Sequence, residues 1–165
     1  MALKFCWMML VLAALLSGCA AEETMETVAD DLAQPVAAME PRQIDVRLPD
    51  GAIAPVLETG TEQMYLTEEY ELLVQTVRSG DLEGTIDQIC GYRPEDLTIM
   101  QTHWDGVDRY EFVWAAAGEK GDQLGRAVIL DDGHYHYCMS VLRNAQQEKT
   151  SQVVWRDVFD SFTLV

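Results

Sequence analysis

The sequence predicts an α+β domain: an antiparallel sheet of about five to seven strands with two helices packed on one face. Strand-like segments follow one another through short turns such as Asp105-Gly106, which is typical of antiparallel hairpins. One amphipathic helical repeat interrupts the strands, and a second follows the last of them. Strands and helices that do not alternate regularly favour an α+β fold over an α/β fold.

The first strands are short. Ile44, Val46 and Leu48 alternate with polar residues, which is the period of a half-buried strand. Pro49-Asp50-Gly51 then predicts a turn, because Pro presets one backbone angle and Gly accepts a positive one. Further short or Leu-, Val- and Thr-rich segments are predicted as strands: 53–57, 63–66 and 70–78.

The first helix is bounded by two signals. Asp81 is expected to cap its N-terminal amides, and Gly91 stands where a left-handed C-cap is expected. Between them, apolar residues recur on one face of the helix: Leu82, Ile86, Ile89 and Cys90. This helix therefore places Cys90 towards the core.

A meander and a closing helix complete the domain. Four strands are predicted after the first helix: 97–103, 110–116, 124–130 and 135–142. The closing helix begins at Thr150 or Ser151 and turns one apolar face inward: Val154, Trp155, Val158, Phe159 and Phe162. The apolar residues after it are expected to pack on the sheet.

In this order, the elements resemble the PsbP/Mog1-like domains. These domains pair a central antiparallel sheet with flanking helices and often end in a helix that runs into a Ser-Phe step, here Ser161-Phe162. The resemblance covers residues 43–165 and implies a binding or assembly domain without catalytic residues. A cystatin-like or other curved-sheet domain is the alternative, and fold analogy alone carries no function.

The N-terminal residues predict export and a lipid anchor. Lys4 precedes an apolar run, residues 5–16, that suits a secretory signal and is too short to cross a bilayer. Leu16-Ser17-Gly18-Cys19 resembles the lipobox of bacterial lipoprotein precursors. That resemblance implies a signal peptide over 1–18, cleavage before Cys19 and diacylation of its thiol, so that the protein is held on the extracytoplasmic side of the cell membrane. The alternative is an ordinary secretory signal with a chance cysteine.

Charge restricts the partners of the remaining chain. Residues 19–41 predict a flexible acidic spacer, and residues 42–165 a single domain. The 165-residue chain has a formal charge of −17, and loss of Lys4, the only charged residue among the first 18, would bring it to −18. Such a charge argues against nucleic acid and against adhesion of the domain to anionic lipid. The acyl chains on Cys19 are therefore expected to provide the bilayer contact.

Two cysteines remain after export and lipidation. Cys6 lies in the signal, Cys19 carries lipid, and Cys90 and Cys138 are left in a compartment where disulfides persist. A disulfide between them is one interpretation, and two small buried thiols are the other.

His134-Tyr135-His136 is the most tempting metal-binding pattern. Two histidines two residues apart on a strand share a face, and Asp131, Asp132 and His103 could add ligands. The alternation with Tyr135 and Tyr137 equally describes an ordinary strand, so these histidines are weak candidates only. Turn chemistry likewise explains Asp131-Asp132-Gly133 better than a calcium loop does.

The sequence predicts no enzyme and no cofactor, because the expected mature chain lacks the motifs of nucleophilic catalysis. Our interpretation is a membrane-anchored lipoprotein of the cell envelope that binds a protein partner or assists assembly. The alternatives are a metal-assisted hydrolase using His134 and His136, and a small-ligand site on the open sheet face. Six aromatic residues could line such a surface: Tyr92, Trp104, Tyr110, Trp114, Tyr135 and Tyr137.

Overall fold

The computed structural model describes residues 39–49, 54–118, 121–145 and 148–165. The signal peptide, Cys19 and most of the spacer lie outside the described residues. Met39–Val165 forms one compact unit by itself.

Strands predominate in this unit. Its strands are β1 (Ile44–Asp45), β2 (Leu57–Glu58), β3 (Glu62–Leu66), β4 (Tyr70–Arg78), β5 (Met100–Trp104), β6 (Val107–Gly118), β7 (Gly121–Asp131), β8 (Tyr135–Asn144) and β9 (Thr163–Leu164). Its helices are α1 (Leu82–Cys90), a short 3-10 helix (Pro94–Asp96) and α2 (Glu148–Ser161).

Seven of the strands form one antiparallel sheet in the order β2-β3-β4-β8-β7-β6-β5. β1 and β9 pair separately, with Ile44 opposite Leu164. A seven-stranded antiparallel sheet with two helices confirms the predicted α+β class.

The two helices lie on opposite faces of the sheet, so the prediction that both cover one face is wrong. Tyr137 and Met139 of β8 pack in a cluster with Phe159 of α2, whereas Cys138, between them in sequence, packs in a second cluster with Ile86 of α1. Successive side chains of a strand point to opposite faces. Both faces are apolar here, as the unbroken run 127–130 in β7 shows, and each face therefore needs its own cover.

The bounds of α1 agree with the prediction, but its N-cap does not act as expected. The Asp81 side chain makes no capping hydrogen bond; instead its backbone carbonyl accepts from the Thr85 amide at 3.0 Å. Gly91 has a φ of 73° and its amide donates to the Asp87 carbonyl, as a left-handed C-cap requires.

The predicted and observed elements differ most at the ends of the strands. β5 begins at Met100, later than predicted, and Leu97 and Ile99 before it pack against the α1 cluster outside any strand. The β5–β6 hairpin turns through Asp105 and Gly106, both with positive φ (52° and 75°), the geometry of a type I′ turn. β6, β7 and β8 extend beyond their predicted ends, and α2 begins at Glu148.

The segment before β2 runs against the α2 side of the sheet. Among residues 39–49, only Ile44–Asp45 is strand, but Ile44, Val46 and Leu48 all pack on the α2 cluster. The Arg42 amide donates to the Tyr137 hydroxyl at 2.8 Å and the Arg47 amide to Ser161 Oγ at 2.9 Å. Within the described ranges, no helix combines the length and apolarity needed to cross a bilayer.

Candidate functional site

A buried histidine joins four elements at one end of the sheet. His136 is only 1% exposed. Its Nδ1 lies 2.8 Å from Thr85 Oγ1, and its Nε2 lies 3.2 Å from Ser79 Oγ and 3.5 Å from Asp131 Oδ2. Thr85 Oγ1 also donates to the Asp81 carbonyl at 3.1 Å, so its single hydrogen is used and Nδ1 of His136 is the donor between them.

This network does not have the geometry of a catalytic triad. Ser79 and Asp131 approach the same nitrogen of His136, whereas a triad places the carboxylate on the other nitrogen, where it orients the ring. Ser79 Oγ is moreover 3.2 Å from Asp131 Oδ1, which competes for its hydrogen. The arrangement satisfies polar groups beneath α1 and fastens that helix to the sheet.

The structure brings His136 and Asp131 together but leaves the other predicted metal ligands, His134 and His103, away from them. His134 is exposed in the turn before β8, and His103 is exposed on β5, where its Nδ1 lies 2.9 Å from Asp108. His136 is buried with both nitrogens occupied. In the described part of the chain, no group of three or more His, Cys, Asp or Glu side chains is placed to hold a metal ion.

Asp132 organises the turn between β7 and β8. Its Oδ1 accepts the amides of His134 and Tyr135 at 2.9 and 2.8 Å, and its Oδ2 accepts the Tyr137 hydroxyl at 2.8 Å. Burial alone would raise the pKa of Asp132, but these hydrogen bonds outweigh it and the pKa is lowered. Burial and the neighbouring carboxylate raise the pKa of Tyr137 to about 12. The Asp132 carboxylate therefore makes the hydrogen bonds that are typical of a turn residue.

Cys90 and Cys138 are free thiols in the structure, and both belong to the α1 cluster. Cys138 is fully buried on β8, and burial raises the pKa of its thiol to about 12. Cys90 is half-buried at the end of α1, and burial raises the pKa of its thiol as well. The disulfide stays a prediction.

The six aromatic residues do not form one surface. Tyr110 and Trp114 pack in the α1 cluster, and Tyr137 and Tyr135 pack in the α2 cluster. Tyr92 follows α1, and its hydroxyl donates to the Ala115 carbonyl at 2.8 Å. Trp104 is different, because its side chain is 85% exposed at the end of β5. The sequence could not distinguish it from the others, since its exposure follows from its place on an edge strand beside a tight turn.

The β5–β6 hairpin forms one edge of the sheet. All five residues of β5 are exposed, including Met100 at 57%. Met100, Thr102 and Trp104 alternate with Gln101 and His103 and so point to the α2 side. Trp104 is more exposed than any other large apolar side chain that the structure describes, the next being Val165 at 66%. Exposed apolar side chains on an unpaired sheet edge are typical of contact surfaces.

A groove of about 340 Å³ lies beside this hairpin on the α2 side. The hairpin forms one wall with Trp104 and Val107, and the other wall includes Phe162, Leu164 and Arg42. We call it the Trp104 groove. Its size lies at the lower end of the range for small-molecule pockets.

The charge of Arg109 at the groove is neutralised locally. Its Nε donates to Glu111 at 2.8 Å, and its two terminal nitrogens donate to the Phe159 and Phe162 carbonyls at 2.8 and 3.2 Å. Arg126 donates to the other oxygen of Glu111 at 2.9 Å. Burial raises the pKa of Glu111, but the bonds from the two arginines outweigh it, and its pKa is lowered overall.

Comparison with known proteins identifies the fold alone. No family model matches the chain, and no curated protein matches it. Among solved structures, it is similar to the solution structure of cyanobacterial PsbP (CyanoP) from Synechocystis sp. PCC 6803, with a TM-score of 0.53 and 11% identity. The match covers 74% of this chain and 86% of that one. The fold is therefore PsbP-like, as the order of elements predicted.

Proposed function

We propose that this chain is a lipid-anchored binding or assembly module of the cell envelope, held on the extracytoplasmic side by acyl chains on Cys19. In this proposal the domain binds a protein partner and catalyses no reaction itself. The observation that carries it is Trp104, whose side chain is 85% exposed on an edge hairpin beside a groove. Tryptophan is enriched among the residues that dominate binding energy at protein interfaces.

The buried network around His136 supports a binding role over a hydrolytic one. Its hydroxyl and carboxylate groups satisfy one another, and Ser79 and Asp131 share one imidazole nitrogen. The exposed apolar side chains of the hairpin lie away from His136, on β5 and along the Trp104 groove. These side chains can contact a partner protein, and such a contact needs no reactive atom.

Site-specific photo-crosslinking in cells tests the binding role. A benzophenone amino acid replaces Trp104 in the full chain, and the matched control places it at Leu66 of β3, which is 50% exposed. We expect a discrete protein adduct from position 104 and not from position 66. Equal adduct patterns from both positions would reject the hairpin as the contact surface.

The anchor is tested separately by Cys19→Ser. We expect the variant to leave the membrane fraction and to lose labelling by a palmitate analogue, since stable anchoring depends on the acyl chains. A variant that stays membrane-bound contradicts the proposed lipid anchor. The contact surface on the hairpin is then judged by the crosslinking result alone.

A further inference from the structure

We propose that the edge strand β5 binds an extended, cationic segment of a partner protein by strand addition, with Trp104 as the side-chain anchor. This inference rests on the proposed binding function and names the chemistry of the partner. Strand addition pairs an extended peptide with the unused backbone groups of a sheet edge.

The register of the β5–β6 hairpin determines which backbone groups face outward. Trp104 and Val107 flank the two-residue turn and form a hydrogen-bonded pair, as in other type I′ hairpins. Hydrogen-bonded and non-hydrogen-bonded pairs then alternate along the ladder. Gln101 and His103 therefore direct their N–H and C=O groups away from β6, where they offer about four hydrogen bonds to an added strand.

The length of β5 favours this edge over the opposite one. β5 has five residues, which span about 16 Å at the rise of an antiparallel strand. β2, at the other edge, has two residues. All β5 side chains are exposed, so an added strand meets no covering element among the described residues.

Charge around β5 selects a cationic partner. Five carboxylates and two guanidinium groups lie along residues 93–111. Arg93 pairs with Glu95, and Arg109 and Arg126 pair with Glu111, so the remaining negative charge lies on Asp96, Asp105 and Asp108. Asp105 stands in the turn next to Trp104. A lysine or arginine placed against the exposed indole would gain a cation–π contact and the attraction of this carboxylate.

The same charges disfavour two other occupants. A second copy of a chain with a formal charge of −17 would bring like charges to the shared edge. An anionic bilayer surface would be repelled in the same way. Both remain measurable outcomes of the test.

Designed peptides test the inference on the full chain in detergent micelles. The probe is an acetylated peptide of alternating Lys and Val, about seven residues long. One matched control replaces Lys by Glu, and the other carries N-methyl groups on the amides that would face β5. Calorimetry measures affinity, and NMR follows the amides of Gln101 and His103. We expect the lysine peptide to bind at least tenfold more tightly than either control.

Two variants test the backbone edge of β5 and the side chain of Trp104. Gln101→Pro removes an outward N–H at an edge position, which a sheet tolerates, and Trp104→Ala removes the indole. We expect each to weaken binding about tenfold, while Leu66→Ala on β3 leaves it unchanged. Thermal melts verify that the variants are folded. The N-methyl peptide acts on the unaltered protein, so the test does not depend on them.

Several results would overturn the inference. Equal binding of the N-methyl peptide, or peptide-induced shifts confined to the Trp104 groove, would exclude strand addition. A dimer by sedimentation that is broken by Gln101→Pro would assign the edge to a second copy. Binding to anionic vesicles that depends on Trp104 would assign it to lipid. A protein crosslink from position 104 is compatible with equal binding of the N-methyl peptide. The proposed function and this inference can therefore fail independently.

Discussion

The guanidinium of Arg109 on β6 donates a 2.8 Å hydrogen bond to the carbonyl of Phe159 in the last turn of α2. A second bond reaches the Phe162 carbonyl just beyond the helix. The last carbonyls of a helix lack partners within it and carry the negative end of its dipole. Arg109 therefore fastens α2 to the sheet at the floor of the Trp104 groove.

Replacing Arg109 by Met should destabilise the domain by about 2–3 kcal/mol, because it removes charged hydrogen bonds to two carbonyls and to a half-buried carboxylate. Urea unfolding of the full chain in detergent measures the change. Arg156→Met is the matched control, since Arg156 is 63% exposed and lies 3.7 Å from Asp157; we expect less than about 0.5 kcal/mol there. Equal losses in the two variants would contradict the role given to Arg109.

The stability of the domain should fall in acid through Glu111. Its pKa is lower in the folded chain than the ordinary value of about 4.3, because bonds from Arg126 and Arg109 outweigh the cost of burial. The ionised form is thus favoured by folding. Its contribution is fully present above the unfolded pKa and is lost as pH falls through the lower folded pKa.

Unfolding free energies measured between pH 3 and pH 7 check this dependence. We expect Glu111→Gln to be less stable than the parent chain at pH 7 and to lose less stability on acidification. Parallel pH profiles of the two chains would show that other carboxylates carry the acid response.

The elements of this fold were predictable from the sequence to the extent that local patterns define them. β4 and α1 have the predicted bounds, because a Leu-, Val- and Thr-rich segment and a Gly91 cap are properties of consecutive residues. The order of elements led us to expect both helices on one face, although an unbroken apolar run such as 127–130 is typical of a strand buried on both faces. Only the packing shows that it buries both.

The candidate sites were less predictable for a related reason. His136 meets Thr85, Ser79 and Asp131, which come from α1, the end of β4 and the end of β7. No spacing in the sequence joins these residues. In the sequence, Trp104 is one of six aromatic candidates. Only the strand order of the folded sheet shows that it lies on an edge strand.

Gly125→Ala should destabilise the domain by about 1–3 kcal/mol. Gly125 lies directly opposite Trp114 in the sheet, and a Cβ there would overlap the buried indole, so the ring would have to move. Gly60→Ala is the control, because a Cβ at Gly60 meets nothing within 4 Å. Denaturant unfolding measures both variants. In a Trp114→Leu background the cost of Gly125→Ala should shrink, and strict additivity would refute the overlap.

Zinc analysis of the full chain discriminates against the metal-assisted alternative. We expect well below one zinc per chain, because His136 is enclosed by Thr85, Ser79 and Asp131 while His134 faces solvent. His136→Ala should cost about 2–4 kcal/mol through the lost bonds and packing, and His134→Ala less than about 0.5 kcal/mol. One equivalent of zinc lost equally from both variants would favour the hydrolase.

Thiol labelling of the native chain should distinguish Cys90 from Cys138. Burial raises the pKa of the Cys138 thiol to about 12, and that residue is 1% exposed, so it has almost no thiolate and no access to reagent at pH 8. Cys90 is half-buried with a smaller rise in pKa and should react slowly with iodoacetamide, whereas Cys138 should react only after denaturation. Mass spectrometry of chain purified without reductant reads both sites. If neither thiol is alkylated even in denaturant until reductant is added, the two are bridged, as the compartment allows. Fast labelling of native Cys138 would instead contradict its place in the α1 cluster.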